Sequence, residues 1–396
     1  MKPLRIAHFS DTHLGYRALS KADPVTGRNQ RSIDIEAAFT WAIDDLLSRD
    51  VDLVIHSGDL FHQPRPAYPA IGTAIRQFRR LDRAELPTFV IGGNHDTPRL
   101  RTSGSVFSIL AMAVPGIRFC GGYTSETVDL EELNLSITLV PHGRLTDPAP
   151  PFVSLTHGVR NILVTHGFVP NLDLPYRGHE PGEEEVEETL LDADFAYIAL
   201  GHYHQFNQPR ANAWYAGSTE RIGWGEAEIQ PGYAVVELGD PGTQPKVDHV
   251  PIPTRSMHVY GVPERVTVDN DGVRIAVHVL RWMEELGSPE AMTRFVLSGV
   301  ERPARRHAES LIQQEAERFV WSAQVVGRSD LFSGMAERST DLPAVNVLDQ
   351  FGAFVAAEQE AGRYDPGFAM AFGLTGRREL EQAQMAIETQ LTSEEA

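Results

Sequence analysis

Short apolar runs recur through the first two hundred residues, and polar side chains follow closely after each. The runs cover residues 4–9, 51–55, 88–91, 162–164 and 197–200. Runs of this length are typical of strands in a parallel sheet, which are apolar because both faces are covered. The pattern therefore predicts an α/β domain built on several buried strands.

Three segments between these runs carry apolar residues at helical spacing. The clearest spans residues 33–47, and segments 67–81 and 105–114 are predicted to be helices as well. In the first segment the apolar stripe consists of Ile33, Ala37, Trp41 and Leu47. Charged residues separate these positions, as in an amphipathic helix with one apolar face. Residues 233–238 are predicted to form a late strand.

The pattern changes at Pro251-Ile252-Pro253, and we expect three parts in the chain: residues 1–253, residues 254–335 and residues 340–396. The second part is predicted to be a small α+β domain with strands at 257–260, 294–297 and 319–326. Its second helix places Ala308, Leu311, Ile312, Ala316 and Phe319 at helical spacing, which is typical of a core.

The third part is predicted to be helical, with two apolar groups. The first group is Leu348, Phe351, Phe354 and Val355, and the second is Phe368, Met370, Phe372 and Leu374. Two short helices with exposed apolar faces are unstable alone. They are therefore expected to pack either on their own chain or on a partner.

Five segments after the predicted strands end in side chains that bind metals. They read Asp11-Thr12-His13, Gly58-Asp59-Leu60-Phe61-His62, Gly92-Gly93-Asn94-His95-Asp96, Thr165-His166-Gly167 and Gly201-His202-Tyr203-His204. Ligands of α/β sheets bind at the carboxyl ends of the strands, so these segments are expected to converge. Their residue types and order predict a dimetal phosphoesterase.

A pair of divalent ions about 3.5–4 Å apart needs a bridging carboxylate, and it activates a water and neutralises phosphoryl charge. Asp59 is the predicted bridge, because its strand is central and a carboxylate has two oxygens. The first ion is assigned to Asp11, His13, Asp59 and His204, and the second to Asp59, Asn94, His166 and His202.

His95 follows a predicted ligand and carries an imidazole that works near neutral pH. We expect it to donate a hydrogen bond or a proton to the phosphate or the leaving oxygen, with Asp96 orienting it. Asp96 is also placed to cap a helix starting at Thr97-Pro98, and the two roles are compatible. His8 alternates with apolar residues inside the first strand and is interpreted as structural. The site does not include His142, His157 or His179.

Composition limits the other possibilities. The single cysteine, Cys120, excludes an intrachain disulfide and a thiolate metal site. The start of the chain predicts no signal peptide, and no apolar stretch reaches the ~18 residues of a membrane span, so a cytoplasmic protein is expected. The net charge of −19 predicts modest affinity for a polyanion such as DNA, although much of the acid lies in residues 183–188 and after residue 379.

At these motifs the chain resembles the SbcD nuclease family, the catalytic subunits of SbcCD-type complexes that process double-strand breaks. The matching residues are Ser10-Asp11-Thr12-His13-Leu14-Gly15, Ser57-Gly58-Asp59-Leu60-Phe61-His62, Gly93-Asn94-His95-Asp96, His166-Gly167, Gly201-His202-Tyr203-His204 and Gly217-Ser218-Thr219-Glu220-Arg221. This resemblance covers roughly the first 250 residues. The later regions correspond in layout only.

The resemblance implies a calcineurin-like metallophosphoesterase β-sandwich flanked by helices, a DNA-contacting α+β capping domain and a C-terminal helical segment that binds the coiled coil of an SMC-like ATPase. It implies a manganese-dependent 3′ to 5′ exonuclease and endonuclease acting on DNA as a homodimer. It implies the same set of metal ligands as the one assigned above, and His62 matches a further active-site histidine of that family. The ATPase is expected on a separate chain, because no GxxxxGK[ST] phosphate loop occurs here.

Two other readings remain open. A small-substrate enzyme, such as a cyclic-nucleotide phosphodiesterase, would use the same centre, but it would hardly need the region after residue 256. Protein phosphatases of this fold carry GDxxDRG and GNHE patterns, which this chain lacks. A non-catalytic scaffold for DNA repair would be marked by a missing ligand, and no ligand is missing. The acidic segment 183–188 is expected to repel DNA or to dock a partner.

Overall fold

The computed structural model describes residues 2–147, 149, 151, 153–170, 172, 183–328, 355, 367, 372 and 374–378. Two compact units divide the chain, Met1–Arg328 and Ser329–Ala396. In the second unit residues 355, 367, 372 and 374–378 are helical, and the side chains of Phe372 and Leu374 are exposed. The other residues of the two predicted C-terminal apolar groups, apart from Val355, lie outside the described residues.

The strands of the first unit, in chain order, are β1 (Leu4–Phe9), β2 (Leu53–His56), β3 (Thr88–Ile91), β4 (Arg118–Cys120), β5 (Glu126–Leu130), β6 (Leu135–Val140), β7 (Arg160–His166), β8 (Tyr197–Gly201), β9 (Asn207–Arg210), β10 (Ala213–Tyr215), β11 (Gly232–Leu238), β12 (Lys246–Pro251), β13 (Met257–Gly261), β14 (Met292–Leu297) and β15 (Ser322–Gly327). The α-helices are α1 (Gln30–Leu47), α2 (Tyr68–Arg83), α3 (Phe107–Ala113), α4 (His142–Leu145), α5 (Glu188–Leu191), α6 (Glu264–Thr267), α7 (Gly272–Leu286) and α8 (Arg302–Glu315). Short 3₁₀ turns span Arg101–Ser103, Glu131–Leu133, Trp224–Glu226 and Ala316–Arg318.

Two mixed sheets pack face to face. The first has the order β12-β11-β1-β2-β3-β4 and the second the order β5-β6-β7-β8-β10-β9. Strands β1 to β4 are parallel neighbours, and so are β6, β7, β8 and β10. Apolar side chains from both inner faces, such as Ile55 of β2 and Ile162 of β7, share one core. The predicted α/β class is confirmed, as a two-sheet sandwich flanked by helices.

Helices α1, α2 and α3 cover the outer face of the first sheet, so its central strands are buried on both sides. The predicted helix at 33–47 is present, but the predicted apolar stripe is not its buried face. Ala37 is exposed, and the buried apolar positions are Ile35, Ala38, Phe39, Ala42, Ile43 and Leu46. These positions follow the i, i+3, i+4 spacing of a continuous stripe more closely than the predicted set does.

A third sheet, β13-β14-β15, is parallel and lies within residues 257–327. This region has its own apolar core. Helix α8 contributes Ala308 and Ile312 to that core, in agreement with the predicted helical spacing. The alternation of strand and helix predicted for this region is present. The boundary at residue 253 stays a prediction. Within the described part of the chain, none of the helices combines the length and the hydropathy that a membrane span requires.

A buried ion cluster joins α1 to the segment after β10 and to the approach to β13. Arg31 is 2% exposed and lies 2.7 Å from the Asp34 carboxylate and 3.4 Å from that of Glu220, which is 1% exposed. It also donates to the backbone carbonyl of Arg221 at 2.7 Å. Asp34 in turn accepts from Arg255 at 3.2 Å. The Gly-Ser-Thr-Glu-Arg motif thus has a structural role, because its glutamate neutralises a buried arginine.

We predict that Arg31→Met lowers the free energy of unfolding by about 3–5 kcal/mol, because it leaves the Glu220 carboxylate buried without its cation. Thermal and urea denaturation will measure the loss. The control is Arg118→Met, which breaks the ion pair of an exposed arginine with the partly exposed Glu126 and should cost less than about 1 kcal/mol. Adding Glu220→Gln to Arg31→Met should recover part of the loss. Equal destabilisation by Arg31→Met and Arg118→Met would contradict the assignment.

Candidate metal centre

The five predicted segments meet at one end of the sandwich. Strands β1, β2 and β3 of the first sheet end just before residues 11–13, 58–62 and 92–96, whereas β7 and β8 of the facing sheet end at residues 166 and 201. The predicted convergence is therefore present. It takes place between the carboxyl edges of two sheets, rather than along the edge of one.

One half of the site contains Asp11, His13 and His204, whose ligand atoms all lie within 4.8 Å of one another. The Nε2 atoms of His13 and His204 are 3.1 Å apart, and Nε2 of His204 is 4.0 Å from Oδ1 of Asp11. Asp11 and His13 are buried. Three donors of the predicted first metal position thus face a common point.

The other half contains Asp11, Asp59 and His166, again within 4.8 Å of one another. Nε2 of His166 lies 2.9 Å from Oδ1 of Asn94 and 3.4 Å from Oδ2 of Asp59. The ring of His202 is 5.5 Å from that of His166. The structure therefore brings the four residues predicted for the second metal position into one region.

Asp59 lies between the two halves. Its Oδ2 is 3.7 Å from Nε2 of His13 and 3.4 Å from Nε2 of His166, while its Oδ1 accepts the backbone N–H of His95 at 2.9 Å. Burial opposes ionisation, but the neighbouring imidazoles hold the pKa of Asp59 well below its usual range. Burial likewise lowers the pKa of His166, yet the Asp59 charge outweighs it and raises that pKa to about 9. Asp11 belongs to both groups of donors and shares the central position.

The imidazoles are oriented through their second ring nitrogens. Nδ1 of His166 lies 2.8 Å from the Ser57 carbonyl, and Nδ1 of His204 lies 2.8 Å from the Glu226 carboxylate. These oxygens accept N–H bonds, so each histidine carries a proton on Nδ1, and Nε2 is the ring nitrogen that faces the carboxylates and would bind a metal. This is the arrangement that metal-binding histidines adopt, and the donors therefore fit two divalent ions.

The backbone at the ligands is unusual. Asp11, His13, Asp59 and His202 all have positive φ, between 51° and 113°. Residues with side chains rarely adopt this conformation, and it clusters at functional sites. At Gly93 an added Cβ would lie 2.1 Å from Oδ1 of Asp59, so a side chain there would displace the predicted bridge.

His62 and His95 lie beside the first half of the site. Their rings stack with centroids 5.1 Å apart, and with His13 they form a third group of donors within 4.8 Å. Nδ1 of His95 lies 2.9 Å from the backbone carbonyl of His62, which orients the His95 ring toward the site. A carbonyl therefore does what was predicted for Asp96.

Asp96 has a different set of contacts from the predicted one. Its carboxylate accepts the backbone N–H groups of Leu60, Phe61 and Gly93 at 2.8–3.1 Å, so it joins two ligand-bearing loops instead of bonding to His95. Burial and the nearby Asp59 charge raise the pKa of Asp96 to about 7. No helix begins at Thr97 in this described stretch, where the next regular turn is Arg101–Ser103, so the predicted capping role is wrong.

Two acidic residues contact predicted ligands, and the sequence analysis assigned neither of them to the site. Glu226 contacts His204 from a turn 22 residues away, and Glu183 places a carboxylate oxygen 3.6 Å from Nε2 of His202. Glu183 belongs to the acidic segment 183–188, and its side chain lies against a predicted ligand. The expectation that this segment repels DNA or docks a partner stays a prediction.

A cleft of about 630 Å³ opens beside the site. Its lining includes Asn94, His95, Arg99, Arg101, Tyr123 and His142. The guanidinium of Arg101 lies 4.5 Å from the centre of the Tyr123 ring. His142 was left out of the sequence-based site, but it is buried in the cleft wall with its ring 6.3 Å from that of His166. The signal that could have found His142 is its position two residues after the end of β6.

His8 is fully buried between the sheets, as its alternation with apolar neighbours predicted. Its ring nitrogens lie 2.8 Å from the Tyr197 hydroxyl and 2.8 Å from the Ser57 hydroxyl. Burial lowers the pKa of His8 to about 3, so the ring is neutral. His157 is exposed on a loop, and His179 lies outside the described residues.

Eight curated proteins that are similar to this chain share one name, DNA double-strand break repair protein Mre11. The protein of Thermoplasma acidophilum is 34% identical over 226 residues, which cover 54% of this chain and 55% of the relative. That of Methanococcus maripaludis is 29% identical over 227 residues, covering 55% and 57%. That of Haloferax volcanii is 31% identical over 246 residues, covering 59% and 49%.

The chain thus spans about half the length of the curated relatives it matches. The family model described as calcineurin-like phosphoesterase matches residues 4–206, the stretch that carries all five ligand segments. That family implies a dimetal site, and the groups of donors described above fit one. With more than half of its residues matched and the ligands of both sheets in place, this chain belongs to the calcineurin-like phosphoesterase family.

Proposed function

We propose that this chain is a manganese-dependent DNA nuclease of the SbcD type, with 3′ to 5′ exonuclease and endonuclease activity in double-strand-break repair. The observation that carries the proposal is the meeting of Asp11, His13, Asp59, His166 and His204 at one end of the sandwich. The name shared by the similar proteins supports DNA as the substrate class, as the resemblance to SbcD nucleases also does.

The predicted ligands would hold two divalent ions, which supply an activated water and neutralise phosphoryl charge. Asp11, His13, Asp59 and His204 would hold the first ion, and Asp59, Asn94, His166 and His202 the second. His95 is the proposed donor to the phosphate or the leaving oxygen, because the His62 carbonyl fixes its ring at the mouth of the cleft. His62 stacks on His95 and is proposed to contact the same phosphate. Asp96 is proposed to hold together the two ligand-bearing loops that its carboxylate contacts.

The cleft beside the ligands carries side chains that suit a nucleotide chain. Arg99 and Arg101 at the rim offer positive charge to phosphates, and Tyr123 offers an aromatic face for stacking. These groups provide local attraction in a chain whose net charge is −19.

Manganese is the proposed metal. The donors are imidazole and oxygen without thiolate, a set that suits manganese, iron or zinc. The only cysteine of the sequence, Cys120, is buried in the core between the sheets. The SbcD resemblance favours manganese among the three.

Two assemblies are also proposed. A homodimer built through helices of the phosphoesterase region is supported by exposed apolar side chains at the start of α2 and along α3, namely Tyr68, Ile109 and Met112. An SMC-like ATPase of the SbcC type, on a separate chain, is the proposed partner of the apolar residues after residue 340. That assignment rests on the resemblance.

The first prediction concerns the substrate. In manganese the purified chain should degrade end-labelled double-stranded DNA, and His95→Ser should reduce cleavage by roughly 10²–10⁴-fold while metal binding is retained. The control is His157→Ser, which changes an exposed histidine on a loop.

Two results would redirect the assignment. Loss of bound metal in His95→Ser would make His95 a ligand. Turnover of bis-p-nitrophenyl phosphate with intact DNA would favour the small-substrate phosphodiesterase, and the absence of both activities in the metal-loaded chain would favour a scaffold.

The second prediction concerns the bridge. Asp59→Asn should lower the bound manganese from two ions per chain to one or none, because the amide replaces the central carboxylate oxygen between His13 and His166. Elemental analysis after dialysis will count the ions, with the exposed Asp129→Asn as the matched control. Two bound ions and full activity in Asp59→Asn would end the bridging hypothesis.

The third prediction concerns the partner. Changing Leu348, Phe351 and Val355 together to Asp should abolish co-purification of an SbcC-type ATPase subunit. The matched control changes three exposed valines of the third-sheet region, Val268, Val273 and Val277, to Asp. Unchanged co-purification after the first change would refute the proposed binding segment.

A further inference from the structure

The turn Trp224–Glu226 lies between the metal centre and the third sheet. Glu226 is buried, and both of its carboxylate oxygens are used. Oε1 lies 2.8 Å from Nδ1 of His204, and Oε2 accepts the backbone N–H of Ile222 at 2.7 Å. The carboxylate therefore has little freedom to turn, and it fixes the direction in which Nε2 of His204 faces the other ligands.

The same turn is held from the other side by the third sheet. The guanidinium of Arg294, on β14, lies 4.5 Å from the centre of the Trp224 ring. Arg294 is itself anchored, because its Nε and Nη2 donate to the Gln324 side chain on β15 at 3.2 and 2.8 Å. A cation held over an aromatic face in a partly desolvated site stabilises that contact more than an exposed one.

These contacts form a continuous series from the third sheet to a predicted metal ligand. Arg294 contacts Trp224, Trp224 and Glu226 share one short turn, and Glu226 bonds to His204. His166 differs, because a backbone carbonyl of the first sheet orients it. The half of the centre that contains His204 is therefore the half that changes in the third sheet would reach.

We propose that the third sheet positions His204 through Arg294, Trp224 and Glu226, and so sets the affinity of the metal position that includes Asp11, His13 and His204. Glu226, Trp224 and Arg294 are positioning residues, since the described contacts place none of them among the metal-binding atoms. The inference rests on the metal centre of the proposed function, and it does not depend on DNA being the substrate.

The test is manganese binding by isothermal titration calorimetry, with free manganese followed by electron paramagnetic resonance. Glu226→Gln should weaken one of the two ions by roughly 10–100-fold and leave the other nearly unchanged. Arg294→Met should weaken the same ion by roughly tenfold or less. The matched control is Arg274→Met, an exposed arginine of the same region that pairs with Asp269, and it should bind both ions normally.

A double-mutant cycle distinguishes an effect transmitted through this series of contacts from an overall loss of protein stability. If Arg294 acts through Glu226, the double variant should bind manganese no more weakly than Glu226→Gln alone. Trp224→Phe keeps a ring under the guanidinium and should bind the ion more tightly than Trp224→Leu. Thermal melts of the metal-free variants accompany each titration, and affinity losses that follow the lowered melting temperature instead of the contact series would overturn the proposal.

Two further outcomes are decisive. Unchanged manganese affinity in Glu226→Gln, or effects of Arg294→Met and Glu226→Gln that add in full, would overturn the positioning role. A wild-type chain that binds no divalent ion would instead overturn the dimetal centre of the proposed function. Two bound ions without DNA cleavage would leave the positioning inference intact. Failure of the positioning role and failure of the proposed function are therefore distinguishable.

Discussion

The site depends on how closely the two sheets approach each other at their carboxyl edges. There the His166 ring, at the end of β7, donates to the Ser57 carbonyl after β2, at 2.8 Å. An added Cβ would lie 2.3 Å from this ring at Gly58 and 2.2 Å from the Ser57 carbonyl oxygen at Gly201. Only glycine allows this approach, so the glycines of the ligand segments are required by packing as much as by turn geometry.

Contacts around the ligand segments explain how their strained backbone persists. Asp11, Asp59 and His202 adopt positive φ, and each such residue costs of order 1–3 kcal/mol and persists only where its surroundings impose the conformation. The surroundings do so here: the N–H of Asp11 donates to the Gly58 carbonyl at 3.0 Å, and the N–H of His202 contacts the Asp11 carboxylate at 3.2 Å. The shared core of the sandwich holds the two edges together, and their contacts hold the ligands.

The sequence predicted the parts of this arrangement that are encoded locally. Each ligand segment follows an apolar strand, so β1, β3 and the metal-binding residues were found without knowing that two sheets are involved. The buried face of α1 was misjudged, because apolar residues occur around much of that helix and only packing selects Ile35 over Ala37. Glu226 was invisible, since no periodicity or motif relates a glutamate in a 3₁₀ turn to a histidine 22 residues earlier.

The predicted ligands differ in what fixes them. His166 is oriented by a backbone carbonyl, which no substitution removes while the fold persists. His204 is oriented by a side chain on a short turn, and that turn contacts a separate sheet. One half of the centre is therefore set by the sandwich itself. The other half depends on side chains outside the ligand segments, so a change in the third sheet can reach the chemistry without altering any ligand.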